Sequence, residues 1–387
     1  MGDAGRGMRD AGCGTASGER DVLHEPVASR IPHPASLVIQ TSFLGDAVLT
    51  TPLIAELASR GPVDVVVTPA AAQVLANNPS IRRLIVYDKR VRDSGVAGLW
   101  RVARRVSASS VDSSDGHHDA HAEERVAYLA QGSVRSATLA LLCGARARVG
   151  FAGAPGSALY TQRVPRRDDR HHAERLWRLA FPDRPEVEPP HGALRPRLYP
   201  GDADVMAVES MLSRWTRDEP FVVLAPGSVW ATKRWPHYAD LARRLAPHYP
   251  LAIVGSADDA PLAREIADAA APHRVLDATG QLSLLGSAEL IRRAGLLITN
   301  DSSPQHLASA MGTRTLTIFG PTVPRFGFGP LAPDSLTVGN ERLACRPCHH
   351  HGPARCPLEH WSCMRELGAE QVAGVAMHMM EERARDE

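Results

Sequence analysis

Three polar turns in this 387-residue chain hold the residues whose types and spacing suit chemistry: Asp46, Lys233, and the run Asn300, Asp301, Ser302, Ser303, Gln305 and His306. Each turn lies between a short apolar run and a helix-like stretch. In LLITNDSSPQHLASAMGTRTLTIFGPT (residues 296–322) the run 296–299 reads as a buried parallel strand, which Asn300 and Asp301 end. Ser302 and Ser303 are N-cap types, Pro304 suits the first helical position, and Gly312 stops the helix they open. Free backbone N–H groups and the positive end of the helix dipole meet at such a start, a setting for a phosphate or diphosphate, with Ser302, Ser303 and Gln305 as further donors. Taken alone, the segment reads equally well as an α/β loop without a ligand.

A second segment, FVVLAPGSVWATKRWPHYADLARRL (221–245), gives a buried strand, a polar loop with Ser228, Thr232, Lys233 and Arg234, and an amphipathic helix. Lys and Arg together number 44, yet only Lys89 and Lys233 are lysines. A lysine kept in a Gly-Ser-Thr loop suits a compact charge set against a phosphate where a planar guanidinium would not fit. A solvated surface lysine is the alternative. The loop lacks the G-x-x-x-x-G-K-[ST] spacing, which argues against a purine-triphosphate hydrolase. Nearer the amino terminus, SLVIQTSFLGDAVLTTPLIAELASRG (36–61) gives a strand, a Gly-containing turn and a helix from about Asp46, with Leu49, Leu53, Ile54 and Leu57 at helical spacing. In the first turn of that helix the dipole favours a carboxylate, the form a general base needs, and Gly45 permits close approach of a substrate. From the local sequence an N-cap role for Asp46 competes with that reading.

Taken together, TSFLGDAVLTTPL, APGSVWATKRWP and TNDSSPQHLASAMGTRTLTIFGPT resemble the three signature segments of the family 9 glycosyltransferases, the ADP-heptose:lipopolysaccharide heptosyltransferases, nearest the heptosyltransferase II group. The resemblance runs in order and spacing from residue 36 to about residue 367. It implies an α/β GT-B fold, two Rossmann-like domains facing a central cleft, with the acceptor on the first and the nucleotide sugar on the second. It implies Asp46 as catalytic base in place of the N-cap role, Lys233 and Thr232 as diphosphate contacts, and the loop from Asp301 to His306 as holder of sugar hydroxyls and diphosphate. Ser42, Gly45, Ser228, Arg234 and Asn300 complete the expected substrate-binding set. In LAIVGSADD (251–259), Asp258 either bonds a ribose hydroxyl or caps the helix after Pro261. QGSVRSATLALLCGARARVGF (131–151) resembles the acceptor-side segment, with Ser133, Arg135 and Ser136 to grip an acceptor phosphate or carboxylate.

The implied activity is inverting transfer of a heptose from ADP-heptose to the inner core of lipopolysaccharide, on an acceptor of the heptosyl-Kdo-lipid A type. No cofactor is expected and no metal either, since Asp258-Asp259 and Asp168-Asp169 lack the intervening residue of a DxD pair. Ser303-Pro304 departs from the common family pattern, Gly followed by an apolar residue, and it stands beside the sugar site. Another nucleotide sugar or acceptor therefore stays open, as do a GT-B epimerase and a non-catalytic nucleotide-sugar-binding protein.

Length and 44% hydrophobic content allow two cores, expected at 34–188 and 201–387 with a Pro-rich linker at 189–200. Residues 1–33 read as a disordered extension, and the Ser-, Asp- and His-rich stretch 107–125, with His117, His118 and His121, as a solvated loop. A net charge of +1 gives no field for nucleic acid, and neither a membrane span nor a signal peptide is apparent, so a cytoplasmic monomer is expected. Arg82, Arg83, Lys89, Arg90, Arg92, Arg101, Arg104 and Arg105 crowd within 24 positions. They form either a solvated face or a surface drawn to anionic lipid at the inner membrane, where a lipid-linked acceptor is met. Of Cys345, Cys348, Cys356 and Cys363, spaced C-x2-C-x7-C-x6-C, only the first pair has zinc-knuckle spacing, and because the chemistry the resemblance implies needs no metal, any zinc there would be structural.

Overall fold

A computed structural model describes residues 1–2, 35–108, 125–184, 186–215 and 219–386. The expected N-terminal extension and the three histidines of the polar loop lie outside the described residues. The described residues from 35 onward form one compact unit.

The first half runs β1 (Ser36–Gln40), α1 (Leu44–Leu49), α2 (Thr51–Ala58), β2 (Val63–Val67), α3 (Pro69–Val74), β3 (Arg83–Val86), α4 (Gly95–Ala108), β4 (Val126–Leu129), α5 (Val134–Leu142), β5 (Ala147–Phe151), β6 (Gln162–Val164) and α6 (His172–Trp177). After α7 (Asp202–Leu212) come β7 (Val222–Ala225), α8 (Tyr238–Leu245), β8 (Leu251–Ile253), α9 (Ala260–Ala270), β9 (Val275–Asp277), α10 (Leu284–Arg293), β10 (Leu296–Asn300) and α11 (Ser303–Met311). The chain closes with β11 (Thr315–Ile318), β12 (Leu336–Val338), α12 (Ser362–Arg365) and α13 (Ala369–Asp386).

Two six-stranded sheets result, ordered β3-β2-β1-β4-β5-β6 and β12-β11-β10-β7-β8-β9, and every pairing is parallel. Numbered from its own first strand, each sheet has the order 3-2-1-4-5-6. In that order the loops after the first and fourth strands diverge and leave a crevice at the carboxyl edge. Those four loops follow β1, β4, β7 and β10, and Asp46, Ser133, Lys233 and Ser303 all stand just beyond them. Parallel pairing with helices on both faces requires strands apolar on both sides, and Leu37, Val38 and Ile39 in β1 and Leu296, Leu297 and Ile298 in β10 are fully buried. This is the paired Rossmann-like architecture of a GT-B fold.

The two halves share packing. One continuous core runs from Val48, Leu53 and Trp177 to Leu290, Leu297 and Leu307, where α1 meets α11 and α3 meets α10. Residues 189–200 carry no helix or strand and lie against the first half through Arg197 N–H to Thr51 Oγ1 (3.0 Å) and Asn77 Nδ2 to Tyr199 O (3.2 Å).

The arginine-rich stretch is less free than a uniformly solvated face. Arg82 and Arg83 pair with buried Asp64, and Arg92, Arg101 and Arg105 converge on Asp93, which is 2% exposed. A buried carboxylate needs such partners, and it draws part of the cationic cluster inward.

At the end of β10, Asn300 is fully buried; its Nδ2 donates to Pro226 O (2.8 Å) and its Oδ1 accepts from Trp235 N–H (3.2 Å). It ties β10 to the loop that carries Lys233. Asn300→Ala should lower unfolding free energy by roughly 2 kcal/mol or more, because two backbone groups lose their partner away from water. Urea unfolding followed by circular dichroism measures this.

Candidate active site

At the turn after β1, Phe43 precedes α1 and offers no side-chain cap, and Asp46 is the third residue of the helix. Its carboxylate is therefore no N-cap. Ser42 Oγ lies 2.6 Å from Asp46 Oδ2 and 2.8 Å from Gln40 Oε1, and His172 Nε2 lies 3.6 Å from Asp46 Oδ1. Gly45 does permit a close approach, but of a protein side chain: a Cβ there would stand 2.6 Å from His306 Cδ2. His306 belongs to α11, so a glycine is what lets the two halves touch beside Asp46.

Across from it, Lys233 Nζ is 2.6 Å from Asp301 Oδ2. Thr322 Oγ1 donates to the same oxygen at 2.6 Å, and Gln305 Nε2 to Asp301 Oδ1 at 3.2 Å. Asp301 thus orients Lys233. Ser302 is the N-cap of α11 by position, its side chain makes no cap bond, and Pro304 takes the second helical position rather than the first. The opening of α11 is left facing the cavity, an arrangement suited to an anion.

One cavity unites the two sides. Phe43, Gly45 and Asp46 line it from the first half, and Ser228, Lys233, Asp301, Ser302, Ser303, His306 and Thr322 from the second. A neighbouring cavity is lined by Ser228, Arg234, Asp258, Ser302 and Ser303, together with Gly255, Gly280 and Leu282. Asp258 is not a cap, since Ser256 pairs with Asp259 in that role and α9 follows. Its carboxylate is open to the cavity.

Other expected residues are placed differently. Asn300 is committed to backbone, Thr232 Oγ1 donates to Pro353 O (2.5 Å), and Gln305 Nε2 also donates to Phe328 O (2.7 Å). Ser133 caps α5, and both Ser133 Oγ and Ser136 Oγ turn to Gln131 Oε1 (2.9 and 2.6 Å). Ser133 still borders a third cavity with Gln131, Arg166 and His172, whereas Ser136 is 2% exposed. Arg135 stands near Lys89, whose Nζ donates to Thr41 O (2.6 Å). Burial and the adjacent Arg135 and Arg90 push the Lys89 ammonium below its usual range. Both lysines of the chain therefore support the site's turns.

Several participants carried no local signal. The Cys-rich segment roofs the site: His350 and His351 line the main cavity, and a Cβ at Gly352, whose φ is +84°, would lie 3.1 Å from Lys233 Cε. Arg346 anchors that segment to Phe319 O and Thr322 O. Its thiols neighbour one another, and burial reinforced by the other thiols pushes Cys363 up to about 11. Cys345 Sγ is 3.8 Å from His360 Nε2. Among the described residues no three His, Cys, Asp or Glu side chains are gathered closely enough to hold a metal ion. The thiols as placed therefore do not form a zinc cage.

From the first half, α6 reaches the loop 326–329. His171 Nε2 bonds Gly329 O (3.0 Å), His172 N–H donates to Gly327 O (2.7 Å) and Arg175 Nη2 to Phe326 O (3.0 Å). The doubled histidine is visible in the sequence, but only the fold shows that it faces this loop.

The model of Glycosyltransferase family 9 (heptosyltransferase) matches residues 123–361. Lipopolysaccharide heptosyltransferase 1 of Pseudomonas aeruginosa is 28% identical over 358 residues, covering 87% of this chain and 92% of that protein. A glycosyl transferase family 9 structure from Veillonella parvula superimposes with a TM-score of 0.75 at 22% identity, covering 91% of this chain and 98% of that one. The ADP-heptose lps heptosyltransferase II of E. coli does so with a TM-score of 0.70 at 20% identity, covering 90% and 99%. At those identities the structures show a shared fold.

Burial, with help from Arg175, holds His172 down to about 3; burial also holds His171 and His306 down to about 4, against 6.5 for a free imidazole. All three are neutral in the folded protein near neutral pH, and an unfolded chain binds their protons more readily. The stability they contribute is complete above pH 6.5 and falls as pH drops toward 4 and below. Denaturant titrations across that window should show up to three protons taken up on unfolding, and removal of any one histidine should flatten the slope.

Proposed function

Because the chain belongs to glycosyltransferase family 9, and so is a glycosyltransferase, we propose that it moves a heptose from ADP-heptose to the inner core of lipopolysaccharide, with inversion and without a metal. The observation that carries this is one cavity in which Asp46 faces Lys233 and the opening of α11. Residues 34–188 serve the acceptor, 201–387 the nucleotide sugar, and 189–200 link them. The neighbouring cavity beside Ser228 takes the nucleoside, with Asp258 at a ribose hydroxyl and Arg234 at its edge. An ADP-heptose enzyme of the same fold supports this donor.

Transfer needs one base and one anion clamp. Asp46 takes the proton of the acceptor hydroxyl as its oxygen attacks the anomeric carbon, and the diphosphate leaves on the opposite face. Lys233, Ser302, Ser303 and the N-terminus of α11 stabilise the charge growing on the leaving diphosphate, the part a divalent cation plays in other transferases. Asp46→Asn should lower kcat by ~10²-fold or more with donor affinity within a few-fold. Lys233→Ala should weaken donor binding and slow transfer together, with poor rescue by Lys233→Arg. Rates should be unchanged by EDTA. Near wild-type turnover of Asp46→Asn, measured by mass spectrometry of the product, would sink the assignment of the base.

A lipid-linked acceptor must be met at a membrane surface, and the first half carries a face for it. Val91, Val96 and Trp100 are exposed on and before α4, and Val134 and Leu141 on the adjoining α5. Neither helix contains an acidic residue; Arg90, Arg104 and Arg135 are exposed on or beside them, and Arg92, Arg101 and Arg105, though paired with Asp93, stay partly exposed. Among the described residues no helix is long and apolar enough to cross a membrane. In this proposal the enzyme works in the cytoplasm as a monomer resting on anionic lipid, each cation near the surface contributing ~1 kcal/mol. It should sediment with phosphatidylglycerol vesicles but not with phosphatidylcholine, and Trp100→Ser with Arg104→Glu should abolish sedimentation. Equal binding to both lipids, or none, would remove this face.

A further inference from the structure

We infer that His172 is a positioning residue, which fixes the carboxylate of Asp46 by offering Nε2–H to its Oδ1. The inference rests on Asp46 as the base of the proposed reaction.

The backbone places the ring. His171 caps α6, its Nδ1 accepting from Ala173 N–H (3.1 Å) and its Nε2 donating to Gly329 O (3.0 Å), so both of its nitrogens are occupied. His172, one residue on, is held by its own N–H to Gly327 O (2.7 Å), and its ring lies on Phe328 with centroids 4.8 Å apart. Nε2 is then left 3.6 Å from Asp46 Oδ1. Nδ1 is buried and has no partner.

Which nitrogen carries the proton follows from what each one faces. Burial, then Arg175, holds His172 down to about 3, so the ring is neutral and has a single N–H. An ionised carboxylate only accepts, so a bare Nε2 would set a lone pair against it, whereas Nε2–H meets it as a donor. Nδ1 is then an acceptor without a donor, a smaller penalty than a buried N–H without an acceptor. At 3.6 Å the contact is too long for a hydrogen bond. A closure of about half an ångström makes it one, and catalytic hydrogen bonds commonly tighten when substrate binds.

The result is a carboxylate steered at both oxygens, by Ser42 Oγ at Oδ2 (2.6 Å) and by His172 at Oδ1. Its remaining lone pairs then face the cavity in one direction. That matters because a misplacement of ~1 Å in a reacting group costs ~10²-fold in rate. His172 is therefore a residue of the first half whose ring is set by Phe328 of the second, and it aims the base only when the two halves are in contact.

The test compares His172→Phe, which keeps a ring on Phe328 and removes the donor, with His172→Gln, which restores one. His172→Phe should lower kcat by ~10- to 10²-fold while donor KM stays within a few-fold and Tm within a few degrees, and His172→Gln should recover most of the rate. Placed in Asp46→Asn, His172→Phe should add less than about 2-fold, because the group it aims is gone. A His172→Phe enzyme as fast as wild type, in a protein that Asp46→Asn inactivates, overturns the inference alone. Equal losses in the Phe and Gln variants, with lowered Tm, also overturn it and leave a packing role. Undiminished turnover in Asp46→Asn itself removes the base reading, and this inference with it.

Discussion

The buried carboxylate of Asp301 is the constraint on which the rest of the site depends. It sits at the end of β10 and receives Lys233 from the loop after β7, Thr322 from the loop after β11, and Gln305 from α11. Removing a charge from water is tolerated only with such partners, and deleting one member of a buried pair typically costs 3–5 kcal/mol because the other is left uncompensated. Lys233 is therefore a structural cation as well as the anion contact of the proposed reaction. Gln305 extends the arrangement, since its amide also bonds Phe328 O, and that loop is where α6 docks. Clamp and base are linked through contiguous side chains although they belong to different sheets.

The sheet order explains why these groups meet. Both sheets are wound 3-2-1-4-5-6, so each has a crevice beyond its first and fourth strands. A single crevice holds one ligand end; under the proposed function, two of them facing each other serve a donor and an acceptor. The chemistry is distributed accordingly, with a carboxylate on one side and cationic and backbone donors on the other. Neither half contains a complete reaction.

Much of this was legible in the residues. The strands at 36–40 and 296–300 announce themselves as bounded apolar runs, because a doubly covered parallel strand has no polar face to show. Lys233 stood out through the scarcity of lysine and the resemblance singled out Asp46, and the fold brings both to one cavity. What escaped depends on distant pairing. His172 lies 126 positions from Asp46, and nothing in HHAER states that the second histidine faces a turn from β1. Asn300 read as a ligand contact because its type fits one, yet both ends of its amide are used by backbone. The arginine stretch read as a uniform cationic surface because Asp64 and Asp93 become its partners only after folding. The Cys-rich segment suggested a metal by spacing, and its visible work is to roof Lys233.

Gly45 and His306 set a length. The two halves meet where a missing side chain lets an imidazole of α11 lie against α1, immediately beside Asp46 and near the N-terminus of α11. In the proposed reaction, the spacing between proton acceptor and leaving group is thus gauged by backbone thickness rather than by a substrate-contacting side chain. A descendant enzyme that adopted a bulkier or smaller sugar could change the lateral walls, Phe43, Trp230, Ser303 or Phe326, and keep that gauge. Selectivity and reaction distance are carried by different atoms, so one can drift while the other stays fixed.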